Sequence, residues 1–308
     1  MKKEEPFLNY SRYLQKKYGC TAYRVSIDGG FSCPNRGENR ENPGCTYCSS
    51  FGSRSAFIGE TETDIRNQIE RNFTILKSRY KAEIFMLYFQ AYSSTWAPVD
   101  QLKELYDYSL AQGDFRELIV STRPDCLSEE ICELLTSYQS DKLEVWVELG
   151  LQSSCDKTLE KINRGHTRGE FESSFRMLKK FGLKNVVHLI FGLPGEDHTK
   201  MMNSVKYVAA LRPDGVKFHN LHIPDKTAMH DELLAGEMAI PSSPGHVRYL
   251  ADAIELVHED TVIMRLTTDT PQKRHLIPGF MLDKTIIYNR VREELLKRGT
   301  KQGVFFNY

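Results

Sequence analysis

Cys33, Cys45 and Cys48 fall inside one turn-rich stretch, SIDGGFSCPNRGENRENPGCTYCSS, just after a short apolar run. The spacing is C-x11-C-x2-C. Cys45 and Cys48 can chelate one metal centre through a tight turn, and Cys33 closes the site across a loop of Gly, Asn, Pro and Arg. A closed structural zinc site needs four ligands, yet the chain has no second C-x2-C and no histidine before His166. Three ligands suit a catalytic zinc, but such sites usually use His or carboxylate. Fe–S clusters take thiolates, and a cubane normally takes four. A cubane on three cysteines leaves one iron open, which is useful only if something binds there. Zinc, an open cluster and unmetallated thiols are the three readings the residues allow. Cys20, Cys126, Cys132 and Cys155 stand alone and read as small buried hydrophobes.

Other chemistry-bearing residues gather at the ends of apolar runs. Glu148 in VELGLQS ends a strand-like run, where a carboxylate is costly unless paired, and Gln152 follows it. INRGHT (162–167) offers Arg164 and His166, or simply a surface-loop ion pair. In HLIFGLPGE, Gly192 permits close approach and Pro194–Gly195 forms a turn, while His188 suits a hydrogen-bonded core. His219 and His222 are three apart, so on a strand they point to opposite faces. Arg123 and Lys226 are strand-end cations suited to a carboxylate or phosphate.

The elements that must position these residues follow from periodicity. Strands are expected at 22–27, 83–90, 117–122, 143–150, 185–192 and 215–222, with a weaker seventh at 261–267. Helices are expected at 61–79, 99–112, 128–138, 155–163, 168–181, 197–211 and 244–258. The alternation is that of βα units, and the uniformly apolar strands imply a parallel sheet covered on both faces. The fold class is therefore α/β, a partial (β/α)6 TIM-type barrel over 21–230 with extensions at 1–20 and 231–308. Chemistry in such folds sits at the C-terminal strand ends, where six of the polar segments converge.

The chain has 308 residues, 40% apolar and 27% charged, with 41 Lys+Arg balancing 41 Asp+Glu. It is not a polycation, though a local basic stripe would suffice for nucleic acid. There is no apolar stretch of membrane-spanning length and no apolar signal core at the start. A cytoplasmic location without a membrane partner is expected, and the odd count of 7 cysteines disfavours structural disulfides.

The cysteine loop resembles that of the radical S-adenosylmethionine (SAM) superfamily, in which three cysteines after the first barrel strand hold a 4Fe–4S cluster. The usual spacing there is C-x3-C-x2-C; the longer first gap is similar to that of the Elongator-type catalytic subunit, which modifies wobble uridines in tRNA. NYSRYLQKKYG, VSIDGGFSCPNR, YFQAYSSTWAP, STRPDCL, VELGLQS, INRGHT, HLIFGLPGE and HNLHIPDKTAM together look like the YhcC/YtqA-like branch, over roughly residues 7–300. Thr268 stands where that branch carries a glycine.

The resemblance implies a 4Fe–4S cluster on Cys33, Cys45 and Cys48 and SAM on its open iron. It implies Tyr47 near the adenine and Gln90, Tyr92 and Ser93 near the methionyl amino group, although the glycine-glycine-glutamate form of that motif is absent. It implies Glu148 and Gln152 toward the ribose or ammonium, Arg164 toward the carboxylate and Gly192 against the adenine. Arg123, His166, His222 and Lys226 fall to the substrate. The implied partners are tRNA and an electron donor such as flavodoxin or ferredoxin. The implied reaction is editing of a carbon-5 substituent on a wobble uridine, for example carboxymethylaminomethyl toward aminomethyl. A radical enzyme for a small metabolite or protein side chain, and a metal-stabilised nucleic-acid binder, are the other two classes.

Overall fold

The computed structural model describes residues 5–49, 52, 54, 58, 62–268, 276–277 and 283–307. The elements in chain order are α1 (Tyr10–Tyr18), β1 (Ala22–Ile27), α2 (Ile65–Tyr80), β2 (Ile84–Phe89), α3 (Val99–Leu110), β3 (Phe115–Thr122), α4 (Glu129–Ser137) and β4 (Glu144–Gln152). There follow α5 (Asp156–Lys161), α6 (Arg168–Lys180), β5 (Lys184–Phe191), α7 (His198–Ala210), β6 (Gly215–Asn220), β7 (Ile223–Pro224), α8 (Ala228–Leu234), α9 (Ser243–Leu256), β8 (Val262–Arg265), β9 (Leu276–Ile277) and α10 (Lys284–Arg298).

Seven strands make one parallel sheet in the order β1-β2-β3-β4-β5-β6-β8, curled into part of a barrel. The expected barrel is present, and the weaker seventh run joins the sheet as β8. Side chains alternate across each strand. The convex set, including Val25, Leu87, Val120, Val147, Leu189 and Phe218, packs under the helices as the main core. The concave set includes Met86, Tyr88, Ile119, Trp146 and Val186, and α1 inserts Leu14 against it. α1 is pinned there by Lys17 Nζ, which donates to Glu117 Oε1 at 2.8 Å and to Glu144 Oε2 at 2.6 Å. Those carboxylates sit at the N-terminal ends of β3 and β4, so α1 stoppers that end and leaves the C-terminal end for ligands.

Several elements and boundaries differ from expectation, α1 and α8 among the helices that were not expected. β4 runs on to Gln152, so Glu148 lies mid-strand rather than at the strand end. β6 stops at Asn220, so His222 lies beyond it and the opposite-face argument for His219 and His222 does not apply. α10 was not expected, although Ile287, Val291 and Leu295 are buried at four-residue spacing and Gly299 caps it in the left-handed region.

Candidate functional site

The cysteine loop leaves β1 and folds on its own backbone. Arg36 and Gly37 N–H groups donate to the Cys33 carbonyl at 2.9 and 3.1 Å, and Cys48 N–H donates to the Cys45 carbonyl at 2.9 Å. The residues between these turns are not a slack tether. Buried Arg36 donates from Nη2 to the Cys48 and Ser49 carbonyls, both at 2.7 Å, closing the loop on itself. Arg40 donates to the Phe31 carbonyl at 2.5 Å and lies 4.2 Å over the Tyr92 ring. Ser93 N–H donates to the Ser32 carbonyl at 3.2 Å. The segment after β2, with Gln90, Tyr92 and Ser93, is thereby docked on the cysteine loop.

A second clasp comes from the turn between α5 and α6. Thr46 N–H donates to the Ile162 carbonyl at 3.1 Å, and Asn163 Nδ2 donates to the Gly44 carbonyl at 2.8 Å. Asn35 Nδ2 donates to the Asn163 carbonyl and reaches Cys45 Sγ at 3.5 Å. Gly165 has φ +75°, and a Cβ there would lie 2.2 Å from Asn35 Oδ1. Gly165→Ala is therefore expected to cost about 1–3 kcal/mol through left-handed strain and collision, read as a lower unfolding temperature. Thr167 then starts α6 with a capping box.

Arg164 is the buried pivot of this clasp. It donates from Nη2 to the Gly150 carbonyl at 2.8 Å, from Nε to His166 Nε2 at 3.1 Å, and from Nη1 toward Cys45 Sγ at 3.7 Å. Burial opposes its charge, but the Tyr47 hydroxyl and the Cys45 sulfur outweigh burial and hold the guanidinium protonated. Gln152, at φ +76° after a register shift in β4, brings its amide over Gly150 beside Arg164. Tyr47 packs on the cluster that includes Ile162, Ile190 and Met229, and the Met229 N–H donates to the Thr46 carbonyl at 3.1 Å. Burial raises its hydroxyl pKa far above the ordinary value. Arg123, buried at the end of β3, holds Asp125 in a bidentate pair at 2.9 and 2.8 Å.

These residues fit a thiolate-held cluster. Two N–H donors, the Asn35 amide and the Arg164 guanidinium, aim at the Cys45 sulfur. Burial, then the nearby Cys45 sulfur, pushes the Cys48 thiol up, and a metal centre would displace such a proton. Among the described residues, no three His, Cys, Asp or Glu converge where a single ion would sit. A cubane instead distributes its thiolates over separate irons. Thr46 Oγ1 and Arg123 Nη1 are buried without a hydrogen-bond partner, as donors waiting for a ligand are.

The remaining expected residues lie around this centre. Gly192, at φ +94°, is closely approached by Pro241, whose ring atoms would lie 2.6 and 2.7 Å from a Cβ there. That turn and residues 237–241 line a pocket of about 400 Å³. His222 Nδ1 meets Thr268 Oγ1 at 3.4 Å. Lys226 is exposed at φ +60° in the turn before α8.

Glu148 is fully buried inside the barrel. Its Oε1 accepts from Arg24 Nη1 at 2.9 Å. Its Oε2 accepts from Tyr88 OH at 2.7 Å, His188 Nε2 at 3.1 Å and Lys217 Nζ. Donors from β1, β2, β5 and β6 can meet one residue of β4 only on the concave face. Burial opposes the Glu148 charge, but Lys217 and Arg24 hold its carboxyl well below the usual range. Arg24 and Lys217 are charged residues inside apolar strands, the same signal that singled out Glu148. Asn35 and Arg36 were in view in the loop, but nothing in spacing alone marked them as its clasps.

Burial lowers His166, His188 and His246 to about 4 each, with Arg164 adding for His166 and Lys217 for His188. The unfolded chain protonates these near pH 6.5, whereas the folded chain does not until about 4. The unfolded state therefore binds more protons in that window, and stability falls as pH drops through it. The expected slope is up to about 1.4 kcal/mol per pH unit for each histidine. Unfolding temperatures measured from pH 7.5 to 5 should fall steadily; a flat profile contradicts the neutral-histidine assignment.

Residues 33–208 match the Radical SAM superfamily, and residues 213–297 match the Radical_SAM C-terminal domain. The chain is 33% identical to the protein YtqA of Bacillus subtilis over 97% of this chain and 92% of that one. It is 36% identical to YhcC of Escherichia coli over 73% of this chain and 71% of that one. Its fold superposes on the solved Elp3 of Methanocaldococcus infernus, lacking residues 1–46, with a TM-score of 0.69 at 17% identity. That match covers 91% of this chain and 64% of the Elp3 chain.

Proposed function

This chain belongs to the radical SAM superfamily, whose enzymes use a 4Fe–4S cluster and SAM, and from that premise we propose that it edits the carbon-5 side chain of a tRNA wobble uridine. Cys33, Cys45 and Cys48 hold the cluster in this reading. When bound, the reduced cluster and SAM supply a 5′-deoxyadenosyl radical. The single observation behind it is the buried loop whose Cys45 sulfur receives N–H donors from Asn35 and Arg164. Such donors raise a cluster's reduction potential, which eases electron delivery from a flavodoxin or ferredoxin.

The other residues orient and shield. Arg164, cationic and beside Cys45, meets the amino-acid carboxylate of SAM, with Gln152 next to it. Gln90, Tyr92 and Ser93, docked on the cysteine loop, border its amino group. Tyr47 and Gly192 flank the nucleoside end and keep water out. Arg123 and His166 brace the Arg164 side of the mouth; His222 and Lys226 lie on the side where RNA enters. Glu148, whose oxygens are already engaged, anchors the barrel interior. The substrate assignment is supported by the Elongator-type spacing of the cysteines and by the cation-rich interior, which suits an anionic uridine substituent. The base would flip out of the anticodon to reach the barrel mouth.

Nucleoside analysis of tRNA from a deletion strain tests the assignment. Carboxymethylaminomethyluridine should accumulate and aminomethyluridine and its descendants should disappear. An unchanged nucleoside profile would overturn the substrate.

A further inference from the structure

β6 and β8 pair in register up to Val216 and Ile263, and then a shift skips Met264 so that Arg265 sits opposite Lys217. A bulge of this kind re-aims a side chain. Here it turns Arg265 to the concave face, where its charge acts on Tyr88, His188, Lys217 and His219. Like charges directly opposite on neighbouring strands repel. Arg24 adds a third cation 2.9 Å from Glu148, and Glu148 is the one carboxylate among these groups.

The two histidines of the layer do not balance that excess. His188 and His219 lie with ring centroids 5.4 Å apart. His219 Nε2 is buried with no hydrogen-bond partner. Lys217 is buried and gives its ammonium to Glu148. Arg265 makes no hydrogen bond or ion pair with a described residue and is half-buried. Excess buried cation is costly unless paired, and the bulge builds the excess deliberately.

We propose that Arg265, Lys217 and His219 form a seat for a carboxylate on the substrate's side chain, so that they are specificity-determining residues at the floor of the site. Lys217 and His219 lie three residues and one residue before the end of β6, and Arg265 ends β8 beside them, on the face opposite the main core. A substituent on a flipped base reaches down to it while the reacting carbon stays at the mouth. Glu148 is the counter-ion that keeps Arg24 and Lys217 in place, and Arg265 is the group left to meet the incoming anion. The identity of the carboxylate's carrier rests on the wobble-uridine reading; the seat itself does not.

Two measurements separate the seat from its carrier. The first compares unfolding temperatures in sodium acetate and in sodium chloride at equal ionic strength. Wild type should unfold about 3 °C higher in acetate at tenfold the dissociation constant. Arg265→Gln should lose that increment while unfolding no lower than wild type in chloride, because it relieves repulsion. A structural role for Arg265 would lower stability in both salts. Equal acetate increments in both proteins would overturn the seat. The second measures binding of anticodon stem-loops bearing carboxymethylaminomethyluridine or aminomethyluridine. Wild type should prefer the carboxylate form by about 10-fold or more, and Arg265→Gln should abolish the preference. A preference retained in Arg265→Gln overturns the seat. An acetate increment that depends on Arg265, with no preference between the RNAs, supports the seat and overturns the tRNA carrier.

Discussion

Cys45→Ala is expected to reduce 5′-deoxyadenosine formation to background and to leave the anaerobically reconstituted protein with little iron. Cys45 is the thiol on which the surroundings converge: Asn35 Nδ2 at 3.5 Å, Arg164 Nη1 at 3.7 Å, and a turn clasped from outside by Ile162 and Asn163. Losing it removes one of three ligands and the acceptor of both donors. Cys33→Ala and Cys48→Ala should behave alike. Cys126→Ala is the informative contrast. Cys126 is buried at the end of β3, its thiol pushed up to about 12 by burial and then by Asp125. It is a buried thiol near this mouth, and a fourth cysteine ligand would close the iron that SAM needs. Cys126→Ala should keep its iron and its cleavage of SAM. If it loses iron as Cys45→Ala does, the vacant corner is not vacant.

Glu148→Gln is expected to destabilise the protein by about 3–5 kcal/mol, because it leaves Arg24 and Lys217 buried without their counter-ion. The unfolding temperature should fall on the order of 10 °C. Lys217→Met should cost less, since Arg24 remains paired with Glu148 at 2.9 Å and one repelling cation is removed. This order of effects separates two roles. A carboxylate that held SAM would, when neutralised, weaken SAM binding and leave the unfolding temperature near that of wild type. That result for Glu148→Gln would return Glu148 to the role its motif implies.

The barrel was legible because its signals are periodic and local. Runs such as EIFMLYFQ and LEVWVELG are too apolar for anything but a covered parallel strand, and helical runs separate them at regular intervals. The cysteine centre was legible because three thiols at that spacing have few chemical uses. What stayed hidden depends on contacts between distant segments. Arg36 could be seen in the loop, but its two bonds to Cys48 and Ser49 arise only once the loop has folded. Arg265 drew no assignment from the weak run at 261–267; the bulge that sets it opposite Lys217 depends on pairing with β6, which local pattern does not carry. Glu148 was recognised as a costly charge, yet its partners lie 124 and 69 positions away on β1 and β6. Extension of β4 by two residues, to Gln152, was enough to move Glu148 from the rim to the interior.

The central claim is a cubane with one iron free of protein ligand. Mössbauer spectroscopy of protein reconstituted anaerobically with isotopically enriched iron, recorded with and without SAM, addresses it directly. The account predicts a four-iron cluster in which one iron changes its coordination signature when SAM is added while the other three do not. Protein that takes up no iron, or a cluster whose four irons are all indifferent to SAM, would contradict it.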